Sequence, residues 1–208
     1  MREMFITIEG ISGCGKSTQA LILKEKIAIH CGVGVVVTGE PGGTAVGSIV
    51  REVLFNKDMD NVTEFLLFAA DRNEHIKSLI RPSINNGIIV ISDRFLDSSV
   101  AYQGFGRGVS LDFINYVHNF ITQGLKPDLT FIVDVEPEVG LRRLKKTDRI
   151  ENGGLEFLRR VRNGYLELCK KEKGFVLIDG NNNVDRVSED VWENFLIRRK
   201  EWTKNQKG

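Results

Sequence analysis

The sequence predicts an α/β fold in which a parallel sheet of five strands has helices on both faces. Three observations support this prediction: five strand-like runs recur along the 208 residues, helical stretches separate them, and several runs are apolar without alternation. The continuous apolar run Ile88–Ile91 is typical of a parallel strand that is buried on both faces. Strands that alternate with helices indicate βαβ units, whose ligands bind beyond the carboxyl ends of the strands.

The elements follow one another in a regular order. The predicted strands are Phe5–Glu9, Val33–Thr38, Ile88–Asp93, Leu129–Val135 and Phe175–Asp179. Residues Lys16–Ile29 have helical spacing, and a further helix is expected around Thr63–Leu79. Ser110 is a suitable N-cap for a helix over Leu111–Thr122, and Pro137 is expected in the first turn of the next helix.

Length and charge limit the functional classes. The chain is expected to form a single domain over residues 1–208, and its net charge of +1 disfavours bulk attraction to nucleic acid or to a membrane. No leader, membrane-length apolar run or metal-ligand cysteine spacing is recognised, so a cytoplasmic protein with reduced thiols is expected. The basic stretch 198–200 is interpreted as a solvated helix end, with a nucleic-acid-binding tail as the alternative.

Residues 10–17 read Gly-Ile-Ser-Gly-Cys-Gly-Lys-Ser, which is the phosphate-binding P-loop motif. Its glycines let the backbone aim N–H groups at phosphate oxygens, Lys16 reaches the β- and γ-phosphates, and the Ser17 hydroxyl can ligate Mg²⁺. A strand before the motif and a helix after it complete the anion site, so a fold of the P-loop NTPase type is predicted. The predicted ATP-binding residues are Gly10, Ile11, Ser12, Gly13, Cys14, Gly15, Lys16, Ser17, Thr18 and Arg143. For Arg143, an exposed position on its helix is the alternative.

The dipeptide Asp93-Arg94 follows a buried strand and suits phosphate chemistry. A carboxylate at that place can hold Mg²⁺ or its waters, and a guanidinium can fork onto a phosphate. The metal ligands are therefore predicted to be Ser17 and Asp93. Asp134 also ends a strand and is the rival carboxylate, ranked lower because Asp93 has the adjoining arginine. An ion pair between Asp93 and Arg94 is the structural alternative.

Phe68 and Arg72 are four residues apart, which places them on one face of the predicted helix. The aromatic ring can stack on a base, and the guanidinium can donate to an acceptor on the base edge. A place in the core is the alternative for Phe68.

Residues 145–154 form a polar, charged segment that ends in two glycines. Such a segment is interpreted as a short lid, with a solvated surface turn as the alternative.

Six segments together resemble the thymidylate kinase family of the bacterial type, in the family's order and spacing over nearly the whole chain. They are 9–18, Glu40-Pro41-Gly42-Gly43-Thr44, Phe68-Ala69-Ala70-Asp71-Arg72, Asp93-Arg94-Phe95, 98–104 and Asp148-Arg149-Ile150-Glu151. The resemblance implies transfer of the ATP γ-phosphate to dTMP, with Mg²⁺ as cofactor, and a homodimer that packs through helices. It also implies thymine stacking on Phe68 and a contact between Arg72 and thymine O4.

The resemblance implies a set of dTMP-binding residues. They are Glu9, Arg51, Phe68, Arg72, Arg94, Ser98, Ser99, Tyr102 and Gln103. By this resemblance Arg51 reaches the monophosphate, and Arg94 contacts the acceptor phosphate near the transferred group. Glu9 lies near the sugar and phosphate of the substrate. Ser99 and Gln103 contact the base, Ser98 lies beside them, and Tyr102 crowds the sugar 2′ position.

The predicted catalytic residues are Lys16, Asp93, Arg94 and Arg149. Residues 11–14 of the P-loop include no Arg or Lys, so the resemblance implies that the lid supplies the cation and that Arg149 stabilises the transferring phosphoryl group. The chain departs from the family at Gly39, where an arginine is frequent, and at Lys145 and Lys146, since lysine cannot fork onto phosphate.

Two alternatives remain open at this point. The acceptor can be another pyrimidine monophosphate, dUMP or UMP; Arg72 as a donor disfavours cytosine but does not separate thymine from uracil, whose missing methyl is worth only about 1–3 kcal/mol. The second alternative is a non-enzymatic ATP-binding switch, which the Asp-Arg and Phe-Ala-Ala-Asp-Arg segments disfavour.

Overall fold

The computed structural model describes residues 2–144, 149–150, 153–171 and 174–206. The strands in these ranges are β1 Phe5–Glu9, β2 Gly34–Gly39, β3 Ile88–Asp93, β4 Leu129–Asp134 and β5 Phe175–Asp179. They form one sheet in the order β2-β3-β1-β4-β5, and every neighbouring pair is parallel. The predicted α/β fold with a five-stranded parallel sheet is therefore confirmed.

Helices connect the strands in the described ranges. They are α1 Lys16–Cys31, α2 Ala45–Asn56, α3 Asn61–His75, α4 Arg81–Asn85, α5 Leu96–Ser99, α6 Leu111–Thr122, α7 Pro137–Arg143, α8 Gly154–Lys171 and α9 Val184–Asn205. Two π-helical segments, Ile76–Ile80 and Val100–Gly106, continue α3 and α5.

The predicted bounds are close to the observed ones but differ at element ends. Helix α1 continues past Ile29 to Cys31. It ends there because the next residue, Gly32, has a φ of 63°, in the left-handed region. The helix predicted around Thr63–Leu79 begins at Asn61, after an Asp60 cap, and its last part is π-helical. Apolar spacing alone does not mark these ends.

Helices cover both faces of the sheet, as the continuous apolar strands require. Phe5 and Val90 pack with Ile76 on one side of the sheet. Ile6 and Ile8, which alternate with Phe5 along β1, pack in the cluster on the other side. All five side chains are at most 1% exposed.

The carboxyl ends of the central strands meet at one edge of the sheet. Ile8 is paired with Asp93 between β1 and β3, and Gly39 is paired with Asp93 between β2 and β3. Glu9, Gly39 and Asp93 consequently lie at the same edge, where ligands bind in sheets of this kind.

Two sequence interpretations concern the outside of the molecule. Among the helices that the structure describes, none has the length and apolarity needed to cross a membrane.

The basic stretch 198–200 belongs to α9, where Arg199 pairs with Glu3 at 2.5 Å and Arg198 pairs with Glu201 at 3.1 Å. Two of its cations are thus engaged in ion pairs within the chain.

Candidate active site

The P-loop turns sharply between β1 and α1. Gly10, Gly13 and Gly15 have φ values of 140°, 78° and 100°. A Cβ on Gly13 would lie 2.1 Å from the carbonyl oxygen of Gly140 on α7, so the site requires glycine. The loop delivers its backbone to the N-terminus of α1 in the arrangement that favours anions.

Lys16 is the first residue of α1, and its side chain folds back over the loop. Nζ donates to the carbonyl oxygens of Gly10 at 3.1 Å and Ile11 at 2.8 Å, and it lies 3.5 Å from Cys14 Sγ. Lys16 and Cys14 are both buried. The ammonium group is therefore held at the loop, and Cys14 packs as a small residue beneath it.

A first cavity, the P-loop cavity, opens along the loop and the start of α1. Its lining residues are Gly13, Cys14, Gly15, Lys16, Ser17, Thr18, Gln19, Arg143, Gly180, Asn182, Asn183, Val184 and Val187. Arg143 reaches it from α7, where Nη1 donates to the carbonyl oxygen of Gly180 at 3.0 Å. The structure thus brings Arg143 together with loop residues 13–18, and it adds a wall after β5 that sequence reasoning missed.

Ser17 and Asp93, the two predicted metal ligands, lie next to each other beside the P-loop. Ser17 Oγ donates to Asp93 Oδ2 at 2.5 Å. These hydroxyl and carboxylate oxygens are hard ligands that suit Mg²⁺, which usually takes few protein oxygens beside phosphates and waters. No group of three or more His, Cys, Asp or Glu in the described ranges is arranged to hold a metal. The rival Asp134 is bound at both oxygens by Arg162, at 2.7 and 2.8 Å, so it is engaged elsewhere.

Arg94 follows β3 with a φ of 76°, which is uncommon outside glycine. Its guanidinium lies over the P-loop: Nη1 donates to the carbonyl oxygen of Gly10 at 3.2 Å and to Ser98 Oγ at 3.1 Å, and Nη2 donates to Tyr102 OH at 3.2 Å. Asp93 is not among its hydrogen-bonding partners in the described chain. The side chain thus points toward the cavities rather than into a surface ion pair.

Glu9 is fully buried at the end of β1. Oε1 accepts from the Phe95 amide at 2.6 Å, and Oε2 accepts from Ser98 Oγ at 2.6 Å and from Tyr165 OH at 3.0 Å. Burial raises the pKa of Glu9, although these hydrogen bonds and the charge of Arg94 act in the opposite direction. Glu9 therefore holds together the polar side chains that surround Arg94.

A second cavity, the inner cavity, contains most of the residues predicted to bind dTMP. Its lining residues are Ser12, Glu40, Pro41, Phe55, Phe68, Arg72, Arg94, Ser98, Ser99, Tyr102, Gln103 and Ile150. Phe68 and Arg72 both line it from α3, in agreement with their spacing of four residues. Glu9 lies behind this wall, and Arg51 lines the cavity described next.

The guanidinium of Arg72 is fully buried in a cradle of acceptors. Nε donates to Glu40 Oε2 at 2.7 Å, and Nη2 donates to the carbonyl oxygen of Phe95 at 2.8 Å. Nη1 donates to Ser99 Oγ at 2.9 Å and to His118 Nε2 at 3.0 Å. Since a guanidinium only donates, His118 accepts as a neutral ring. Burial and the charge of Arg72 lower the pKa of His118 to about 2, which agrees with this assignment.

The loop 40–44 is anchored to α3 by a second buried network. Glu40 Oε1 lies 3.0 Å from His75 Nδ1, and His75 Nε2 lies 2.7 Å from Thr38 Oγ1. Asp71 Oδ1 accepts from the Gly42 amide at 3.2 Å, while Oδ2 has no hydrogen-bond partner among the described residues. Burial, together with the charge of Glu40, raises the pKa of Asp71 to about 6.

A third cavity connects the other two. Its lining residues are Ser12, Gly13, Lys16, Ser17, Val37, Thr38, Gly39, Glu40, Pro41, Gly42, Gly43, Arg51, Phe55, Leu79, Asp93, Arg94 and Leu144. It shares Lys16 and Ser17 with the P-loop cavity and Arg94 with the inner cavity. Arg51 reaches it from α2, where Nη1 donates to the carbonyl oxygen of Pro41 at 2.9 Å. A ligand in the P-loop cavity and a ligand in the inner cavity can therefore meet in the third cavity, in the space lined by Ser17, Asp93 and Arg94.

Arg149 does not lie at the P-loop. Its Nε donates to the carbonyl oxygen of Leu54 at 2.9 Å, and its Nη2 donates to Glu64 Oε2 at 2.7 Å. A role at the transferring phosphate therefore stays a prediction. Most of the predicted lid at 145–154 lies outside the described residues, including Lys145, Lys146 and the rest of 145–148 and 151–152.

Sequence reasoning missed four buried polar side chains that organise the site: Glu64, His75, His118 and Tyr165. Each belongs to a helix with no recognisable motif at that position. A polar residue on the apolar side of a helical pattern is the one signal that the sequence offers, and it does not identify a partner.

The chain is similar to known proteins over most of its length. A family model described as thymidylate kinase matches residues 8–191. The chain is 44% identical over 190 residues to the thymidylate kinase of Thermosipho melanesiensis, covering 90% of this chain and 95% of the relative. It is 43% identical over 199 residues to that of Sulfurihydrogenibium sp. (strain YO3AOP1), covering 93% and 97%. It is 44% identical over 202 residues to that of Carboxydothermus hydrogenoformans, covering 93% and 95%.

Proposed function

The chain belongs to the thymidylate kinase family, and from this premise we propose that it transfers the γ-phosphate of ATP to dTMP, giving ADP and dTDP. It is thus a phosphotransferase. The observation that supports the reaction is the cavity that connects the P-loop cavity with the inner cavity over Ser17, Asp93 and Arg94. A donor and an acceptor nucleotide bound at its two ends would present their phosphates to each other.

In the proposed reaction the protein acts mainly by positioning and by stabilising charge. The P-loop amides and Lys16 bind the donor phosphates, and Arg51 and Arg94 hold the acceptor monophosphate. Little covalent chemistry falls to the protein in phosphoryl transfer, so no strong general base is needed. Arg149 is kept as the proposed cation for the transferred group, which requires it to leave Glu64.

We propose Ser17 and Asp93 as the protein ligands of Mg²⁺. These two residues would hold the ion, and its positive charge would offset the negative charge of the donor phosphates. Their oxygens lie 2.5 Å apart, so the hydroxyl and the carboxylate are already close enough to serve one cation.

The inner cavity supports the proposed acceptor. Phe68 provides a flat apolar surface for a base, and Arg72 provides a hydrogen-bond donor that its buried contacts hold in place. Ser99 and Gln103 add polar atoms to the lining of the same cavity. Tyr102, whose ring lies under Arg94, is proposed to crowd the sugar 2′ position and to favour deoxyribose.

We also propose a single domain over 1–208 with a lid at 145–154, a cytoplasmic location and a homodimer. Large apolar side chains exposed on α2, α3 and α6 support the dimer, since α3 packs against both α2 and α6. They are Val46, Ile49, Val53, Val62, Leu66, Leu111, Phe113, Tyr116 and Phe120.

The test is an ADP-release assay with Mg-ATP and dTMP, dUMP, UMP, dCMP or AMP as acceptor. Release that dTMP stimulates far more than the others is expected, and Phe68→Ala should raise the KM for dTMP with a smaller effect on the KM for ATP. Stimulation by a different monophosphate would overturn the base assignment. Release that no monophosphate changes would favour the ATP-binding switch instead.

A further inference from the structure

Glu64, in the first turn of α3, is a buried carboxylate that the proposed reaction does not use. It is 1% exposed. Oε1 accepts from Gln103 Nε2 at 3.0 Å and lies 3.5 Å from Arg107 Nε, while Oε2 accepts from Arg149 Nη2 at 2.7 Å. Two guanidinium groups and one amide thus converge on a single buried side chain.

These contacts determine the orientation of the Gln103 amide. The ion pairs with Arg107 and Arg149 are those of a carboxylate, which accepts hydrogen bonds and donates none. Only the NH₂ end of Gln103 can therefore face Glu64. The amide oxygen Oε1 is left without a hydrogen-bond partner in the described part of the chain, on a residue that lines the inner cavity.

We propose that Glu64 is a positioning residue that sets base specificity by holding the Gln103 amide with its oxygen available to the nucleotide base. This inference rests on the proposed function. An oxygen at that place accepts a hydrogen bond from the N3–H of thymine or uracil. Cytosine presents an unprotonated N3, which is an acceptor, so the same oxygen opposes it.

The fixed amide complements Arg72. Arg72 is held by Glu40 and by His118 and can only donate, which suits O4 of thymine. Glu64 adds the opposite element, a fixed acceptor for the neighbouring N3–H. A site that presents a fixed donor next to a fixed acceptor rejects the cytosine edge at two atoms, and unpaired buried polar groups are the strongest source of such discrimination.

Glu64→Gln tests the proposal because it changes the hydrogen-bonding pattern without changing the size of the side chain. The new amide oxygen is expected to face Arg149, whose hydrogen bond of 2.7 Å is the stronger contact, rather than Arg107, whose Nε lies 3.5 Å from the other oxygen. This orientation leaves the NH₂ of the new amide facing Gln103. Gln103 would then turn its own oxygen toward residue 64 and present NH₂ to the cavity. We expect the ratio of kcat/KM for dTMP to that for dCMP to fall by about tenfold or more, within the range that one buried hydrogen-bond pattern controls.

The substrates provide an internal control. Thymine and uracil both carry N3–H, so the ratio of dTMP to dUMP should stay within about twofold of the wild-type ratio, a change that corresponds to less than about 0.5 kcal/mol. Glu74→Gln, on the same helix and without a side-chain hydrogen bond in the described ranges, should change neither ratio. A merely structural role of Glu64 would lower turnover of the three nucleotides together, and that result would overturn the proposal.

A second comparison guards against poor folding of the single variant. Arg107→Gln should keep the dTMP to dCMP ratio, and Arg107→Gln/Glu64→Gln should lose it, because Arg149 still donates to the amide oxygen at position 64. The double variant also leaves one fewer uncompensated charge than Glu64→Gln alone, which favours folding. Dissociation constants of dTMP and dCMP from calorimetry give the same ratio without turnover. If the wild type does not prefer dTMP to dCMP, the proposed function fails; if it does and the double variant keeps the preference, only this inference fails.

Discussion

Replacing Arg72 with lysine tests how the inner cavity is built, because the Arg72 guanidinium is fully buried and donates to four acceptors. A lysine ammonium can keep the ion pair with Glu40, but it cannot reach acceptors in four directions. The Phe95 carbonyl oxygen and His118 Nε2 are then left unpaired in a buried place. At about 1–3 kcal/mol for each unsatisfied group, the loss is about 4 kcal/mol of unfolding free energy.

For a chain of 208 residues this loss corresponds to a fall in Tm of about 8–16 °C, at about 2–4 °C per kcal/mol. Urea unfolding followed by circular dichroism measures the free energy, and thermal scans measure Tm. Arg198→Lys is the matched control: this exposed arginine on α9 pairs with Glu201 and with no other acidic side chain in the described ranges, and its replacement should cost less than about 0.5 kcal/mol.

The same variant has a kinetic consequence that depends on the proposed function. The KM for dTMP should rise by about 10-fold to 100-fold if one charge-assisted hydrogen bond to the base is lost. For the stability of Arg72→Lys, a loss of unfolding free energy below about 1 kcal/mol would refute the prediction, because it would mean that the buried acceptors do not need the guanidinium.

Two further predictions concern Asp71 and Arg149. The folded pKa of Asp71, about 6, lies above its ordinary value of 3.8, so wild-type stability should fall by up to about 3 kcal/mol as pH rises from about 4 to 6.5. Urea unfolding over that range should show no such component in Asp71→Asn, and parallel pH curves would contradict the assignment. Arg149→Ala should lower kcat by about 10³-fold or more in steady-state assays while the KM for dTMP changes little. An unaltered kcat with a raised KM would assign Arg149 to the Glu64 cluster alone.

Much of the fold could be predicted from the sequence because its signals are local. The strand ends were predicted within one residue, since continuous apolar runs such as Ile88–Ile91 are typical of parallel strands covered on both faces. The P-loop motif indicated a strand before it and a helix after it. The spacing of Phe68 and Arg72 predicted that they share one face of a helix, and both line the inner cavity. The π-helical end of α3 could not be predicted, because an added residue per turn shifts the apolar pattern without changing composition.

The polar contacts of the site could not be predicted, because they join distant parts of the chain. Tyr165 reaches Glu9 across 156 residues, and His118 reaches Arg72 across 46. Neither helix carries a signal for its partner. Arg149 shows this most clearly: its motif predicts a place at the phosphates, whereas in the structure its guanidinium donates to the buried carboxylate of Glu64.

The buried polar networks also explain why the site is built at the expense of stability. Asp71 keeps one oxygen without a partner in the described residues, and its pKa is raised to about 6, so its charged form, which predominates at neutral pH, lowers the stability of the folded state. Its other oxygen restrains the loop 40–44, and a Cβ on Gly47 would lie 2.2 Å from it, so the carboxylate also constrains the sequence of α2. A core of apolar residues would be more stable but would leave that loop, and the Arg72 cradle beside it, free to move. Since a base is read by fixed donors and acceptors, restraint of these side chains before the nucleotide arrives lowers the ordering cost of binding.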